Sequence, residues 1–515
     1  MRLRLTAATA AACFLAPFAS GQWSDDPSIN LAVAQKPGSQ VIPKVAGATD
    51  GGLWISWFDN ASSNFDVYIQ RLDYLGHKQF PSDGLVVSAF PQASSLNDYD
   101  MIADDENHAV VVHNDIRDGA DRDIYAQRIS PSGMLVWGPG GVRLSDNTNF
   151  EPDPRVAQLA SGDFAFVWPR TGSPNSGLVY QRVNKAGVKA FPGDGVPIAG
   201  FGAESPAFHD IIATSDGGFI CVYIRDTATF LSPRHVYIQK FDADGLSEWN
   251  GGSPVIVSAN VVPIAHRPRI LSDGADGAIV AWHDTRTGAF NAWVQRYTAN
   301  GTALFPNEGA RAANDPMHLH LDPAIGYIPG ADEVLVVWNK RDASQGMRGL
   351  SVQRLDATGA RLMGDTGATL VPMGGDNVSS PRMSRAPGGF YAVYSNQPAG
   401  AGGGNRINAH RLDTLGAPVW AQPTIMATEG ASRFRLEPST AANGVLRLAW
   451  EDARNDNADI YAQNLNPDGS IGACNGDANY DGVIDFADLS AVLSEFGMTG
   501  EFLIGDVNGD GVVDF

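Results

Sequence analysis

The strongest constraint on this chain is that its middle repeats itself. The segment DVYIQRLDYLG at Asp66 recurs as DIYAQRISPSG at Asp123, then as GLVYQRVNKAG, HVYIQKFDADG, NAWVQRYTANG, GLSVQRLDATG, INAHRLDTLG and DIYAQNLNPDG. The aligned glutamines are Gln70, Gln127, Gln181, Gln239, Gln295, Gln353 and Gln463, with His410 standing in the seventh copy. Successive spacings are 57, 54, 58, 56, 58, 57 and 53 residues. A recurring unit of this size is one supersecondary module. It cannot bury its own faces and has to stack on its neighbours.

Each copy has the same internal order. A first strand is often opened by proline: Pro43, Pro154, Pro206, Pro268, Pro323 and Pro381. A Gly-rich turn leads to an apolar strand ending in an aromatic, Trp57, Trp168, Tyr223, Trp282, Trp338, Tyr394 or Trp450, with His113 in copy two. A polar loop, the glutamine strand, an Asx-Gly turn and a fourth strand follow. Val67 and Ile69 alternate with Tyr68 and Gln70, which is period two rather than helical period. Four antiparallel strands per unit, eight times over, predict a mainly β fold: an eight-bladed β-propeller across 22–472. A seven-bladed ring is the alternative, because copy seven carries the insertion AGAGGGN and lacks the glutamine. Copy eight has no fourth strand, while SINLAVAQ, Ser28 to Gln35, precedes copy one without a blade of its own. This segment is expected to complete blade eight and latch the ring.

Composition narrows the setting. The formal charge is −21 over 515 residues, which repels nucleic acid and anionic lipid. Arg2 and Arg4, the apolar run Leu5–Phe18 and the small residues Ala19-Ser20-Gly21 read as a secretory signal over 1–21. Its removal moves the charge from −21 to about −23. The expected location is secreted, extracellular or at the cell surface. No other segment is apolar enough for a membrane span. After the signal only Cys221 and Cys474 remain, too few and too far apart for a disulfide framework.

The tail, 473–515, carries different chemistry. In GDANYDGVIDFADLSAVLSEFG, Asp477, Asn479 and Asp481 stand at positions 1, 3 and 5 of a loop. Gly482 follows at 6, Val483 offers its carbonyl at 7, and Asp485 and Asp488 stand at 9 and 12. Calcium takes oxygen ligands at such spacings. Leu489, Val492, Leu493 and Phe496 then make a helical apolar stripe. Asp506, Asn508, Asp510, Val512 and Asp514 begin the same pattern again, and its position 12 falls beyond Phe515. The tail resembles a type I dockerin repeat, with Asp rather than Glu at position 12, over about 40 residues. That resemblance implies Ca2+ as cofactor and docking onto a cohesin-like protein. Docking members carry small polar residues at loop positions 10 and 11. Phe486 and Ala487 stand there in this chain, which puts self-association beside docking.

Catalytic residues are not assignable by motif. Trp57 and Asp59, Asp115 and Arg117, Trp282, Asp284 and Arg286, and Trp450, Asp452 and Arg454 form a recurring W-x-D-x-R pattern. Residues that recur from blade to blade are expected to tie turns rather than to react. The sialidase Asp-box S-x-D-x-G-x-T-W is not matched, since DADGLSEW and SDGGFICVY place Asp and Gly side by side. No nucleophile elbow, P-loop or HExxH occurs. His318, His320 and Asp322 differ from the other copies and would share one strand face, a candidate metal site. The expectation is therefore a calcium-binding scaffold whose propeller contacts glycan or protein. The alternative is a polysaccharide-degrading hydrolase or lyase whose channel gathers carboxylates from different blades.

Overall fold

The computed structural model describes residues 23–514 except 91–97, 118, 120–121, 173–175, 203–205, 227–232, 264–266, 307, 401, 429, 473–477, 479–484, 501–502, 504 and 508–511. The leader, Cys474, Asp477, Asn479, Asp481, Val483, Asn508 and Asp510 lie outside the described residues.

Eight four-stranded antiparallel sheets form the body, one per repeat. Blade one comprises Gln40–Gly47, Leu53–Asp59, Asp66–Leu72 and Leu85–Ser88. Its two middle strands are wholly or almost wholly buried, and this holds in every blade because a sheet lies against each face. The first strands of successive blades touch one another around the full circle, blade eight against blade one included. The ring therefore has eight blades. The Gly-rich insertion of copy seven lies between its second strand, Gly389–Gln397, and its third, Arg406–Asp413.

The core is divided among the blade interfaces. Trp168 packs with blade two residues such as Val110 and Ile124, Trp282 with blade four residues Ile220 and Val222, and Trp338 with blade five residues Ile279 and Ala281. Each strand-end aromatic is thus filling space against the preceding blade. Cys221 is buried in one such interface as a free thiol.

The N-terminal strand Leu31–Ala34 closes the ring. It pairs antiparallel with Asp459–Leu465 as the fourth strand of blade eight. The repeated glutamine shows how complete the substitution is. In blade one, Gln70 Nε2 donates to the Pro81 carbonyl at 2.9 Å and its Oε1 accepts from Phe80 N at 3.0 Å. Gln181, Gln295 and Gln353 likewise engage the residue ten positions on. Gln463 instead donates to the Ser24 carbonyl at 2.6 Å. Beside it, Trp23 donates its indole N–H to the Tyr74 carbonyl at 3.0 Å. Trp137 and Trp249 do the same to Lys185 and Ala299 in the blades that follow them. A Cβ on Gly76 would fall 2.9 Å from the Trp23 ring. That glycine has φ +86°, a conformation that glycine adopts without strain. The N-terminal segment therefore supplies both the missing strand and the missing brace.

Candidate functional site: the central channel

The recurring Trp, Asp and Arg residues are structural. Asp284 accepts the Trp282 indole N–H at 2.9 Å, the Arg286 backbone N–H at 3.2 Å and the Arg286 guanidinium at 2.7 Å. Asp452 holds Trp450 at 2.9 Å and Arg454 at 2.6 Å in the same way. Asp115 accepts from the guanidinium of Arg117 at 2.6 Å. These arginines then lie over the third-strand aromatic, Arg117 at 3.5 Å from the Tyr125 centroid, Arg286 at 4.0 Å from Trp293 and Arg454 at 4.0 Å from Tyr461. One carboxylate thus caps the strand end and orients a cation over a ring.

The copies differ around the axis. In five of the eight blades the first strand carries a bulge near its start, with register shifts at Val41/Lys44, Ala207/Asp210, Leu321/Ala324, Ser379/Arg382 and Phe434/Glu437. The bulge residue adopts positive φ, Ile42 at 55°, Phe208 at 50°, Asp322 at 51°, Ser380 at 55° and Arg435 at 53°, and Asp153, at the same place ahead of its blade's first strand, has φ 50°. A β-branched residue such as Ile42 is held there only by its surroundings. Its N–H donates to Glu451 Oε1 at 2.6 Å and its carbonyl accepts the Tyr99 hydroxyl at 2.9 Å. A bulge re-aims side chains. Here it presents both the bulge residue and the residue two later to the axis, with Pro43, Pro154, Pro268, Pro323 or Pro381 between them in five of the blades. Pro206 falls out of this set. It begins its strand, and His209 fills the proline place in blade four.

Two rings result. The first is Ile42, Asp98, Asp153, Phe208, Arg267, Asp322, Ser380 and Arg435. The second is Lys44, Asp100, Arg155, Asp210, Arg269, Ala324, Arg382 and Glu437. All but Ala324 line one cavity of ≈ 860 Å³. The second ring runs positive, negative, positive, negative, positive from blade one to blade five.

Asp98 is the hub of the blade-one-to-five side. It meets Lys44 at 2.9 Å, Arg155 at 2.6 Å and Arg267 at 3.2 Å, and Arg267 also approaches Asp153 at 3.7 Å. Burial opposes its charge, but Lys44 and Arg155 prevail and hold its carboxyl well below the usual carboxylate range. Asp98→Asn leaves those cations without their shared anion. The expected cost is about 3 kcal/mol at pH 7. A depressed carboxyl stabilises above its unfolded pKa and ceases to as pH falls through that of the folded state. Chemical denaturation from pH 7 down to pH 3 should therefore show a constant gap between wild type and variant that begins to narrow only below about pH 4, the unfolded carboxyl value.

Asp210 is the opposite case. Burial pushes its carboxyl up to about 6; Arg155 draws it back, Asp100 adds to the rise and Arg269 opposes it. Asp100 is also raised by burial, but Arg155, Lys44 and the Val156 N–H at 3.1 Å restrain it. The channel thus holds a carboxyl that keeps its proton up to about pH 6 and a second one, two blades away, whose rise Arg155, Lys44 and the Val156 N–H oppose. Such a split is what acid–base work on a glycosidic bond requires.

The candidate metal residues part company. His318 Nδ1 lies 2.8 Å from Asp315 Oδ2. His320 is buried edge-on to Trp338, with Nδ1 3.0 Å from Asn291 Oδ1. Only Asp322 turns into the channel, because the bulge between Leu321 and Ala324 breaks the alternation that would have kept all three on one face. No group of three such ligands gathers among the described residues. In the tail, Asp485 caps the helix Phe486–Glu495, accepting from Ala487 N at 2.6 Å, and Asp488 Oδ2 accepts from Asp485 N at 2.7 Å. Asp488 and Asp506 are buried, Asp514 is exposed, and Val512 bridges to Thr499. Leu489, Leu493 and Phe496 of the apolar stripe are exposed.

No family and no curated protein matches the chain. Among solved structures, polysaccharide lyase Uly1 is similar with TM-score 0.43 and 10% identity, over 88% of this chain and 94% of that one. An α-L-arabinanase of Penicillium chrysogenum complexed with arabinobiose gives TM-score 0.33 and 14% identity, over 60% of this chain and 92% of that one. A Hadza microbial sialidase gives 0.33 and 12%, over 66% and 73%.

Proposed function

We propose that this protein is a secreted polysaccharide-degrading enzyme, a glycoside hydrolase or lyase, with its reaction centre in the propeller channel. The observation that carries the reading is Asp210, a carboxyl held up to about 6 in a cavity where acids from several blades converge. In this reading Asp210 protonates the departing glycosidic oxygen, Asp100 serves as the ionised partner, and Arg155 between them keeps the pair from sharing one charge state. The test is release of new chain ends from a panel of neutral and acidic polysaccharides by the full-length protein. Products should appear with at least one of them and vanish with Asp210→Asn. Turnover unchanged in that variant removes Asp210 from the chemistry, and no product from any member of the panel leaves a binding scaffold.

The tail is proposed as a calcium-holding, dockerin-like segment that anchors the propeller to a cohesin-like protein or to a second copy. Asp485, Asp488, Asp506, Val512 and Asp514 fit the role, with the remaining ligands outside the described residues. Asp488 and Asp506 are 4% and 1% exposed, and carboxylate oxygens at this loop spacing are the donor type that calcium takes. When bound, calcium supplies charge neutralisation and folding energy to these loops. Calcium titration of the full chain should give heat and a gain of helical signal, both lost in Asp488→Ala. A flat titration overturns the tail reading without touching the channel.

A further inference from the structure

The second ring of the channel breaks its charge order at one place. Acids and bases alternate through blades one to five. Blade six should then supply an acid between Arg269 and the Arg382 of blade seven, but it supplies Ala324. The equivalence is fixed by register. Ala324 pairs with Val337, the residue before Trp338, just as Arg269 pairs with Ala281 before Trp282 and Arg382 with Val393 before Tyr394. Two guanidinium groups therefore flank a place filled by a methyl group too short to line the cavity.

Among the described residues, no carboxylate lies within ion-pair distance of Arg269 or Arg382. The one hydrogen bond from the Arg382 guanidinium goes to the Pro381 carbonyl at 3.2 Å. Arg155 and Arg267, by contrast, have the carboxylate of Asp98. The charge of Arg382 is the foremost influence pulling Arg269 down to about 10, ahead of burial, and Glu437, Asp210 and blade six's own Asp322, in the other ring, only partly offset it. A guanidinium pair that is only partly relieved and faces a cavity costs stability until an anion enters.

We propose that the gap at Ala324 is a carboxylate-binding subsite, and that the polysaccharide entering the channel carries uronic acid residues, one of which puts its carboxylate between Arg269 and Arg382. A carboxylate is the anion of choice because the acid places in this ring are filled by the carboxylates of Asp100, Asp210 and Glu437, and because guanidinium groups take carboxylates in a bidentate manner. The cavity of ≈ 860 Å³ is in the range that encloses a small organic ligand. The inference rests on the channel being the site of action proposed above.

The full-length protein is titrated by calorimetry at pH 7 and low salt with glucuronate, with glucose and with inorganic sulfate. Wild type should bind glucuronate and not glucose. Arg269→Gln and Arg382→Gln should each weaken that binding at least about tenfold, the loss of one charged hydrogen-bonding partner. Ala324→Asp is the decisive variant. It places a carboxylate in the gap, so it should abolish glucuronate binding while melting at or above the wild-type temperature. Glucuronate binding that survives Ala324→Asp, absence of binding in wild type, or a lowered melting temperature in Ala324→Asp would each overturn the subsite. Sulfate binding tighter than glucuronate would overturn the uronate assignment. Cleavage of a neutral polysaccharide without glucuronate binding sinks this inference and leaves the enzymatic reading standing. Arginine-dependent glucuronate binding with no cleavage of any polysaccharide does the reverse.

Discussion

Deletion of residues 23–35 is expected to destabilise the propeller by about 5–10 kcal/mol, a loss built from one buried tryptophan and a short apolar strand. Trp23, Leu31, Val33 and Ala34 are buried in the cluster that joins blade eight to blade one. Their removal uncovers Ile460, Ala462, Leu53 and Trp57 together. It also strips the ladder partner from Asp459–Leu465, leaving a raw sheet edge, and removes the Ser24 carbonyl from Gln463. Thermal unfolding followed by circular dichroism reads the effect as a lower, broader transition, with self-association through the bared edge. Trp23→Ala is the milder form, at about 3–5 kcal/mol. A melting temperature unchanged in the deletion would mean that the ring does not depend on its N-terminal strand.

The second large effect is on turnover. Asp210→Asn is expected to lower the rate on the polysaccharide substrate by about 10²–10⁴, the usual weight of a positioned proton donor. The wild-type rate should fall as pH rises through about 6, where Asp210 loses its proton, and the residual activity of the variant should lack that limb. Stability gives an independent reading of the same group. A carboxyl raised in the folded state favours folding while protonated, and that contribution disappears as pH rises from the unfolded value through about 6. Relative to wild type, Asp210→Asn should therefore melt higher at pH 7 than at pH 4. If the difference between the two proteins is the same at both values, the carboxyl is not raised.

The parts of the molecule that repeat were the parts legible in the sequence. The glutamines, the strand-end aromatics and the Asp-Arg pairs each satisfy one local requirement of every blade, so comparing copies exposes them. The orphan strand at Leu31–Ala34 was legible for the same reason, as a unit short by one strand faced a strand without a unit. The channel residues were hidden because their positions are common to all blades while their identities are not. Asp153-Pro154-Arg155, Arg267-Pro268-Arg269 and Ser380-Pro381-Arg382 show how the signal could have been found. The recurring proline marks the inner end of the first strand, and the residues on either side of it line the channel. Pro206 obscures this, because it sits three residues before His209, which holds the place of the proline in its blade. The face shared by His318, His320 and Asp322 failed on the same bulge. Period-two reasoning holds only while a strand keeps its pleat, and Asp322 at φ 51° ends it.

Closure by the N-terminal strand also imposes an order of events on biosynthesis. Trp23 and its neighbours are made before any of the eight blades, yet their partners, Asp459–Leu465, arrive more than 420 residues later. Earlier blades can stack as they emerge, each supported by the one before. The final seam has to wait until blade eight has been made and then bring together two distant segments, a contact of very long sequence separation and so of the slowest kind to form. Until then the first strand remains an unmatched edge, dependent on whatever shields nascent chains. A ribosome stalled anywhere before blade eight would release a stack of well-formed sheets that can neither close nor assemble the full circle of charges around its axis.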